Sequence, residues 1–169
     1  MLSESLKIPL KGLRPTDFQH PLDEDATEGL KNVKGLDWFT EKVMDLGFER
    51  MQRVLKLGSC LKIDENQVPS LYKKYQGIAE MLDMEPPELF IENSPVTNAY
   101  TYGFTSPYVV ITTGLLDNFS DEETNFIIGH ELGHVKCGHT LYNTMASYIQ
   151  ILIQMISAAT LGVGSPIVK

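Results

Sequence analysis

Apolar residues recur at helical spacing in two segments of the first half of the chain. Over residues 36–57 and again over residues 68–82, apolar side chains stand three or four positions apart, as on one face of an amphipathic helix. Gly58 and Ser59 are expected to end the first helix, and Pro69 is tolerated in the first turn of the second. The pattern therefore predicts two amphipathic helices.

The pattern changes beyond Pro87, where the apolar runs become short. Three runs rich in β-branched and aromatic residues, separated by turn-forming residues, predict three short strands: residues 89–91, 100–104 and 108–112. Ser120 and Glu123 then have the spacing of a capping box, which predicts a helix that begins at residue 121. We expect an α+β fold with helices around a small sheet of about three strands.

Two segments flank this core, which we place at residues 36–144. Residues 1–35 combine three prolines with little apolar periodicity, which predicts an extended arm. Residues 145–169 form an apolar helix whose uncharged stretch 145–163 is long enough to cross a membrane. A stripe of serine and glutamine lowers the insertion signal, so membrane insertion and packing on another helix both stay open. Exposure of the apolar face of 145–163 would favour self-association.

Charge and cysteine content exclude some classes of function. The net charge is −8, from 14 basic and 22 acidic residues, which is the wrong sign for a nucleic-acid binder that neutralises phosphates. The chain has two cysteines and no cationic start followed by an apolar leader. We therefore expect an intracellular protein, cytoplasmic or membrane-associated, rather than a secreted one.

Residues 130–134 read His-Glu-Leu-Gly-His within the helix predicted from residue 121. Side chains four positions apart share one helix face, so His130 and His134 can reach a single cation, and zinc suits two imidazoles. Glu131 lies about 100° around the helix, from where it can take a proton from a metal-bound water that attacks an amide. The alternative is that both histidines are ordinary helix residues, one solvated and one packed.

This motif does not stand alone. Together with Asn98-Ala99-Tyr100, residues 110–116 and residues 120–123, it resembles the gluzincin-type zinc metallopeptidases that include the bacterial heat-shock membrane protease and the prenyl-protein endoprotease. The resemblance covers roughly residues 70–145. It implies that His130 and His134 bind zinc, that Glu131 is the general base, and that a glutamate on a later helix is the third ligand.

The resemblance also implies a place for the substrate. The strand at Asn98, Ala99 and Tyr100 would be a sheet edge that pairs with the main chain of a protein or peptide substrate, which explains modest sequence selectivity. The alternative for these three residues is a turn with a core tyrosine.

The chain departs from the family pattern at the third ligand. No aspartate or glutamate occurs from Val135 to Lys169, so we expect that ligand beyond Lys169 in a longer protein. Three other residues are weak candidates for that ligand. Cys137 lies too far along the helix axis, His20 belongs to the arm, and His139 would point about 180° from His130 unless Gly138 ends the helix.

The sequence thus predicts a zinc-dependent metalloendopeptidase. Because the third ligand is absent from these 169 residues, we expect them to be inactive by themselves. The alternative is a non-catalytic peptide-binding or scaffold module on the same fold. A further hypothesis is that the arm of residues 1–35 lies over the active-site cleft as a latency segment.

Overall fold

Five helices and four strands make up the described part of the chain in a computed structural model, which covers residues 10–20, 47–103 and 105–163 and six single positions between 29 and 42. A short 3-10 helix, Pro15–Asp17, precedes them. In chain order the elements are α1 (Phe48–Ser59), β1 (Cys60–Ile63), α2 (Pro69–Met81), β2 (Glu88–Glu92), β3 (Ala99–Tyr102), β4 (Tyr108–Thr112), α3 (Thr113–Asn118), α4 (Asp121–Lys136) and α5 (Thr140–Val163).

The strands form a mixed sheet in the order β1-β2-β4-β3. Strand β2 is antiparallel to β1 and parallel to β4, while β3 is antiparallel to β4. All five residues of β4 are buried, as expected for a strand with a partner on each side and layers on both faces. Among the described strands, β3 is the last in this order and so lies at one edge of the sheet.

The alternation of side chains along β4 divides the core into two layers. Val109 and Ile111 face α2 and α4, whose buried residues include Ile78 and Leu132. Tyr108 and Val110 face the opposite side, where Phe90 completes a second cluster. The sheet is thus packed on both faces, and α4 belongs to the larger layer.

The predicted α+β fold is confirmed, with differences at particular elements. Helix α2 and the starts of β4 and α4 lie where the sequence predicts them. Of the predicted helix 36–57, most of residues 36–46 lies outside the described residues, and α1 continues through Gly58 to Ser59. Residue 104, the end of the predicted second strand, also lies outside them.

Two elements were not predicted. Strand β1 makes the sheet one strand larger than expected, and it follows α1 without a turn residue between them. Its four residues include a lysine and only one fully buried side chain, Ile63, so it has no clear apolar signal. Helix α3 begins directly after β4, because the Thr112 hydroxyl accepts from the Leu115 N–H at 3.2 Å and caps it.

Helix α5 covers the predicted apolar segment. Thr144 and Tyr148 on its inner face are buried, whereas Ile149 and Ile153 are about half exposed, at 45% and 58%. Among the described residues, none of the helices combines the length and the apolar character that a membrane crossing requires.

The loop that leads into β3 is held closely against α3. The N–H of Gly114 donates to Ser94 O at 2.8 Å, and a Cβ at Gly114 would lie 2.4 Å from Pro95 O. Only glycine therefore allows this approach, which sets the path of the chain into the edge strand.

We expect Gly114→Ala to destabilise the fold by about 1–3 kcal/mol, because the loop has to move away from the added methyl group. Gly77→Ala is the control, since a Cβ at Gly77 meets nothing within 4 Å in the interior of α2 and should add up to about 1 kcal/mol of stability. Urea unfolding of both variants measures the difference. Equal stabilities would show that the loop yields without cost.

Candidate active site

Helix α4 carries the His-Glu-x-x-His motif, and both of its ends are well defined. At its start the Ser120 hydroxyl accepts from the Glu123 N–H at 3.3 Å, and the Glu123 carboxylate accepts from the Ser120 N–H at 2.9 Å. This is the predicted capping box. Further along, Ile128 and Leu132 are completely buried against the sheet. The rotation of α4 is therefore fixed by its apolar side.

The two histidines of the motif approach each other through their Nε2 atoms. His130 Nε2 and His134 Nε2 are 3.1 Å apart, and the rings lie edge to face with centroids 4.5 Å apart. Two nitrogens that bind one tetrahedral zinc ion at about 2.0–2.1 Å stand about 3.3 Å from each other. The pair therefore fits a shared cation with only a small adjustment.

Glu131 is buried next to His130 and Thr101. Its side chain belongs to a residue only 9% exposed, and burial raises the pKa of its carboxyl group. The nearby His130 ring and the approaching hydroxyl of Thr101 on β3 lower that pKa, but by less. A buried carboxyl group next to a pair of imidazoles is a candidate general acid and base.

Helix α4 ends in a way that brings a third histidine to the motif. Gly138 has φ +73°, its N–H donates to Val135 O at 3.0 Å, and the N–H of His139 donates to His134 O at 3.0 Å. These bonds form a Schellman motif, in which glycine supplies the left-handed residue and the chain turns back. The helix therefore does not continue to His139, and the 180° separation that a continuing helix would give does not occur.

As a result His139 lies against His134. Their Nδ1 atoms are 3.0 Å apart, on the side of the His134 ring away from Nε2. His139 thus contacts a ring atom that does not face His130. Of the other two candidates for the third ligand, Cys137 is the C-cap residue of α4 and His20 is exposed in the arm. Within the described residues, no group of three or more His, Cys, Asp or Glu could hold a metal ion.

The described part of the arm runs along the same end of α4. The N–H of Leu10 donates to Met81 O at 3.1 Å, and the Gly12 N–H donates to the Asp83 carboxylate at 2.8 Å. Further on, the Gln19 amide nitrogen is 3.0 Å from His139 Nε2. Sequence reasoning missed Gln19, since no local pattern relates residues that are 120 positions apart.

The strand proposed to pair with substrate is a sheet edge, as the resemblance implies. The Thr112 N–H donates to Asn98 O at 3.1 Å, and the Asn98 N–H donates to the Thr112 hydroxyl at 3.0 Å. In an antiparallel pair, alternate residues turn their main-chain groups towards the partner strand. The main chain of Asn98 is thus used within the sheet, and Ala99 and Thr101 turn theirs away from β4.

Tyr100 faces away from the motif. Its ring belongs to the layer opposite α4, where its hydroxyl donates to the Glu92 carboxylate and accepts from Lys56 Nζ at 2.6 Å. Burial, and the hydrogen bond to Glu92, raise the pKa of Tyr100. The main chain of Tyr100 points towards β4 by the same alternation. Neither the side chain nor the main chain of Tyr100 therefore faces the open edge next to the motif.

An open groove begins beside His130. It has a volume of about 740 Å³, lies between α2 and α4, and is lined mainly by apolar atoms of Ile78, Met81, Phe126 and Gly129. Phe126 is 77% exposed at its rim. The groove offers space for an apolar side chain next to the imidazole pair.

The chain is similar to known metallopeptidases along most of its length. A family model described as Peptidase family M48 matches residues 65–166. The plastoglobule-localized metallopeptidase 48 of Arabidopsis thaliana is 32% identical over 143 residues, which are 83% of this chain and 42% of that protein. A protease HtpX homolog of Thermodesulfovibrio yellowstonii is 31% identical over 128 residues, which are 75% of this chain and 43% of that protein.

The fold and the helix-borne His-Glu-x-x-His arrangement are those of a metallopeptidase core. The chain belongs to peptidase family M48, which confirms the resemblance drawn from the sequence. It spans about two fifths of the length of these relatives.

We expect Tyr100→Phe to lower stability by about 1–2 kcal/mol, because it removes a hydrogen-bond partner from two charged groups, Lys56 and Glu92. Zinc affinity should not change, since the phenol lies on the far face of the sheet. Tyr72→Phe on α2 is the matched control, with an expected effect below about 0.5 kcal/mol. Thermal unfolding and zinc titration measure both, and a loss of zinc binding in Tyr100→Phe would contradict this placement.

Proposed function

We propose that this chain provides the metal-binding and substrate-pairing part of a zinc-dependent endopeptidase. The observation that carries the proposal is the 3.1 Å separation of the His130 and His134 Nε2 atoms on a helix that also holds the buried Glu131. Membership of family M48 supports it. An intracellular location belongs to the same proposal, and it is supported by the similarity to the chloroplastic metallopeptidase of Arabidopsis thaliana.

In this proposal His130 and His134 hold the metal, and Glu131 handles the proton. Zinc bound there would supply a Lewis acid that polarises the scissile carbonyl and acidifies a water molecule. The Glu131 carboxylate would accept a proton from the attacking water and would later donate it to the departing amine. Its buried position next to His130 places the carboxylate for both halves of this transfer.

The substrate is proposed to lie along β3 as an added strand. Ala99 is half-buried and turns its main chain to the open edge, so pairing would begin there. Thr101 is 4% exposed and lies deeper, with its side chain near Glu131. Asn98 keeps its exposed side chain for contact with the substrate, since its main chain already bonds Thr112.

The groove beside His130 is proposed to take one substrate side chain. Its lining is apolar, and Lys73 and Lys74 on α2 flank it. An apolar residue next to the cleaved bond would bury surface there, whereas main-chain pairing along β3 would be indifferent to sequence. The expected selectivity is therefore for one apolar position in an otherwise variable peptide.

We propose that the third ligand comes from outside residues 1–169, as the sequence predicts. The absence of acidic residues after Val135 and the coverage of about two fifths of the M48 relatives support this. Two imidazoles alone would bind zinc more weakly than the three protein ligands of a catalytic site. Hydrolysis is thus expected only when the missing carboxylate is supplied.

Glu131→Gln should reduce hydrolysis by about a hundredfold or more in a longer chain that continues past Lys169 and includes the missing ligand, because general base catalysis contributes about that much. Zinc affinity should stay within about threefold of the unchanged chain, since Glu131 is not a ligand in this proposal. Cleavage of a quenched fluorescent peptide library and zinc titration are the two measurements.

His130→Ala in the same longer chain is the control, and it should lose both zinc and hydrolysis. Unchanged cleavage in Glu131→Gln would show that the general base lies elsewhere. Absence of hydrolysis in the unchanged longer chain, with zinc bound and a carboxylate supplied, would favour the non-catalytic peptide-binding or scaffold module.

We also propose that the chain self-associates through α5, whose outer residues Ile149 and Ile153 leave apolar surface open. Ile149→Gln with Ile153→Gln should shift the chain to lower mass in sedimentation velocity, and Gln154→Ser, an exposed polar neighbour, should not. A single species of monomer mass for the unchanged chain up to about 100 μM would contradict self-association.

A further inference from the structure

His139 and Gln19 form a hydrogen-bonded line that ends on His134. The Nδ1 atoms of His134 and His139 are 3.0 Å apart, and His139 Nε2 is 3.0 Å from the Gln19 amide. Both histidines are half-buried. The line starts in the N-terminal arm and passes the turn after α4. It reaches the Nδ1 atom of His134, whereas the Nε2 atom of that ring faces His130.

The proton positions along this line follow from the metal site. If His134 uses Nε2 for a cation, as its approach to His130 Nε2 implies, that nitrogen carries no proton and the neutral ring carries its proton on Nδ1. The Nδ1–H then needs an acceptor, and His139 Nδ1 is in place at 3.0 Å. One donor and one acceptor are thereby matched.

The same logic extends to Gln19. His139 accepts on Nδ1, so its own proton lies on Nε2 and must be donated to an acceptor. The Gln19 amide lies at that atom and can present its oxygen by a half-turn, since the two ends of an amide have nearly the same shape. Each ring then has a single tautomer, and the Nδ1–H of His134 and the Nε2–H of His139 each have an acceptor on this line.

From this geometry we propose that His139, held by Gln19, is a positioning residue for the zinc ligand His134. It fixes the tautomer and the ring orientation of His134 and so raises zinc affinity without touching the metal. The inference rests on the proposed zinc site. A histidine whose remote N–H is held by a fixed acceptor is a better ligand than one that must be oriented on binding.

A direct ligand role for His139 would use different atoms. A ligand would have to bring a nitrogen to the space between the Nε2 atoms of His130 and His134, whereas His139 contacts the Nδ1 side of His134. The two roles differ in what can replace the imidazole. An asparagine Oδ1 can stand near the position of Nδ1 and accept the same hydrogen bond, but an amide oxygen is a poor zinc ligand.

The test is the zinc dissociation constant of chain 1–169 and its variants, measured by competition with a chromophoric chelator. His139→Ala should weaken binding by about ten- to a hundredfold, the usual effect of losing such a supporting hydrogen bond. His139→Asn should bind within about threefold of the unchanged chain. Gln19→Ala should show a smaller loss, about three- to tenfold, because it acts through His139.

Cobalt supplies a second readout, since its visible absorption reports ligand number and geometry. The Co²⁺ spectrum of His139→Asn should match that of the unchanged chain if His139 is not a ligand, and should change if it is. His20→Ala is the control, with both measurements unchanged, because His20 is the exposed histidine of the arm.

Unchanged zinc binding in His139→Ala would overturn the proposal and leave the zinc site intact. A His139→Asn variant as weak as His139→Ala would also overturn it, in favour of a ligand or packing role. The longer chain that includes the third ligand is measured in the same way, and failure of that longer chain to bind zinc would instead overturn the proposed function. If His139→Ala loses helix content by circular dichroism, its zinc affinity cannot be interpreted, and the affinity of Gln19→Ala becomes the test. An unchanged zinc affinity in Gln19→Ala would then overturn the proposed positioning role of His139.

Discussion

Helix α4 has to bury one side in the core and present two imidazoles on another, and the rest of the site depends on how it does so. Ile128 and Leu132 are completely buried, which fixes the rotation of the helix against the sheet. Since each residue turns the helix by about 100°, that rotation also fixes His130 at the surface and Glu131 in the interior. Apolar packing, rather than polar contact, sets the directions of the chemical groups.

The edge strand follows from the same arrangement. Because side chains alternate along β3, Thr101 points to α4 and approaches Glu131. Tyr100 points to the opposite layer, where it hydrogen-bonds the ion pair of Lys56 and Glu92. The main-chain groups alternate as well, which leaves Ala99 facing the open edge. One short strand thus separates structural contacts from those proposed for substrate. The glycine at position 114 keeps the loop close enough for this register.

The parts that could be predicted from the sequence are those with local signals. Helical spacing, the capping box at Ser120 and the His-Glu-x-x-His spacing all depend on residues within one or two turns of each other. Strand β1 has no such signal, because its stability comes from pairing with β2. The position of His139 depends on whether Gly138 ends the helix, and sequence alone left both outcomes open. Gln19 could not be found at all, since its contact with His139 is purely tertiary.

The arm illustrates why such tertiary contacts change the functional argument. A latency segment would have to lie over the imidazole pair or the open edge of β3. Residues 10–20 instead bond the end of α2 through Leu10 and Gly12, and they reach the histidines from behind, through Gln19 and His139. The Nε2 atoms of His130 and His134 lie on the other side of the His134 ring. Gln19 thus supports the proposed metal site from behind, whereas Leu10 lines the groove beside His130 that is proposed to take a substrate side chain. The described part of the arm therefore both contacts the imidazole pair through His139 and forms part of the wall of that groove.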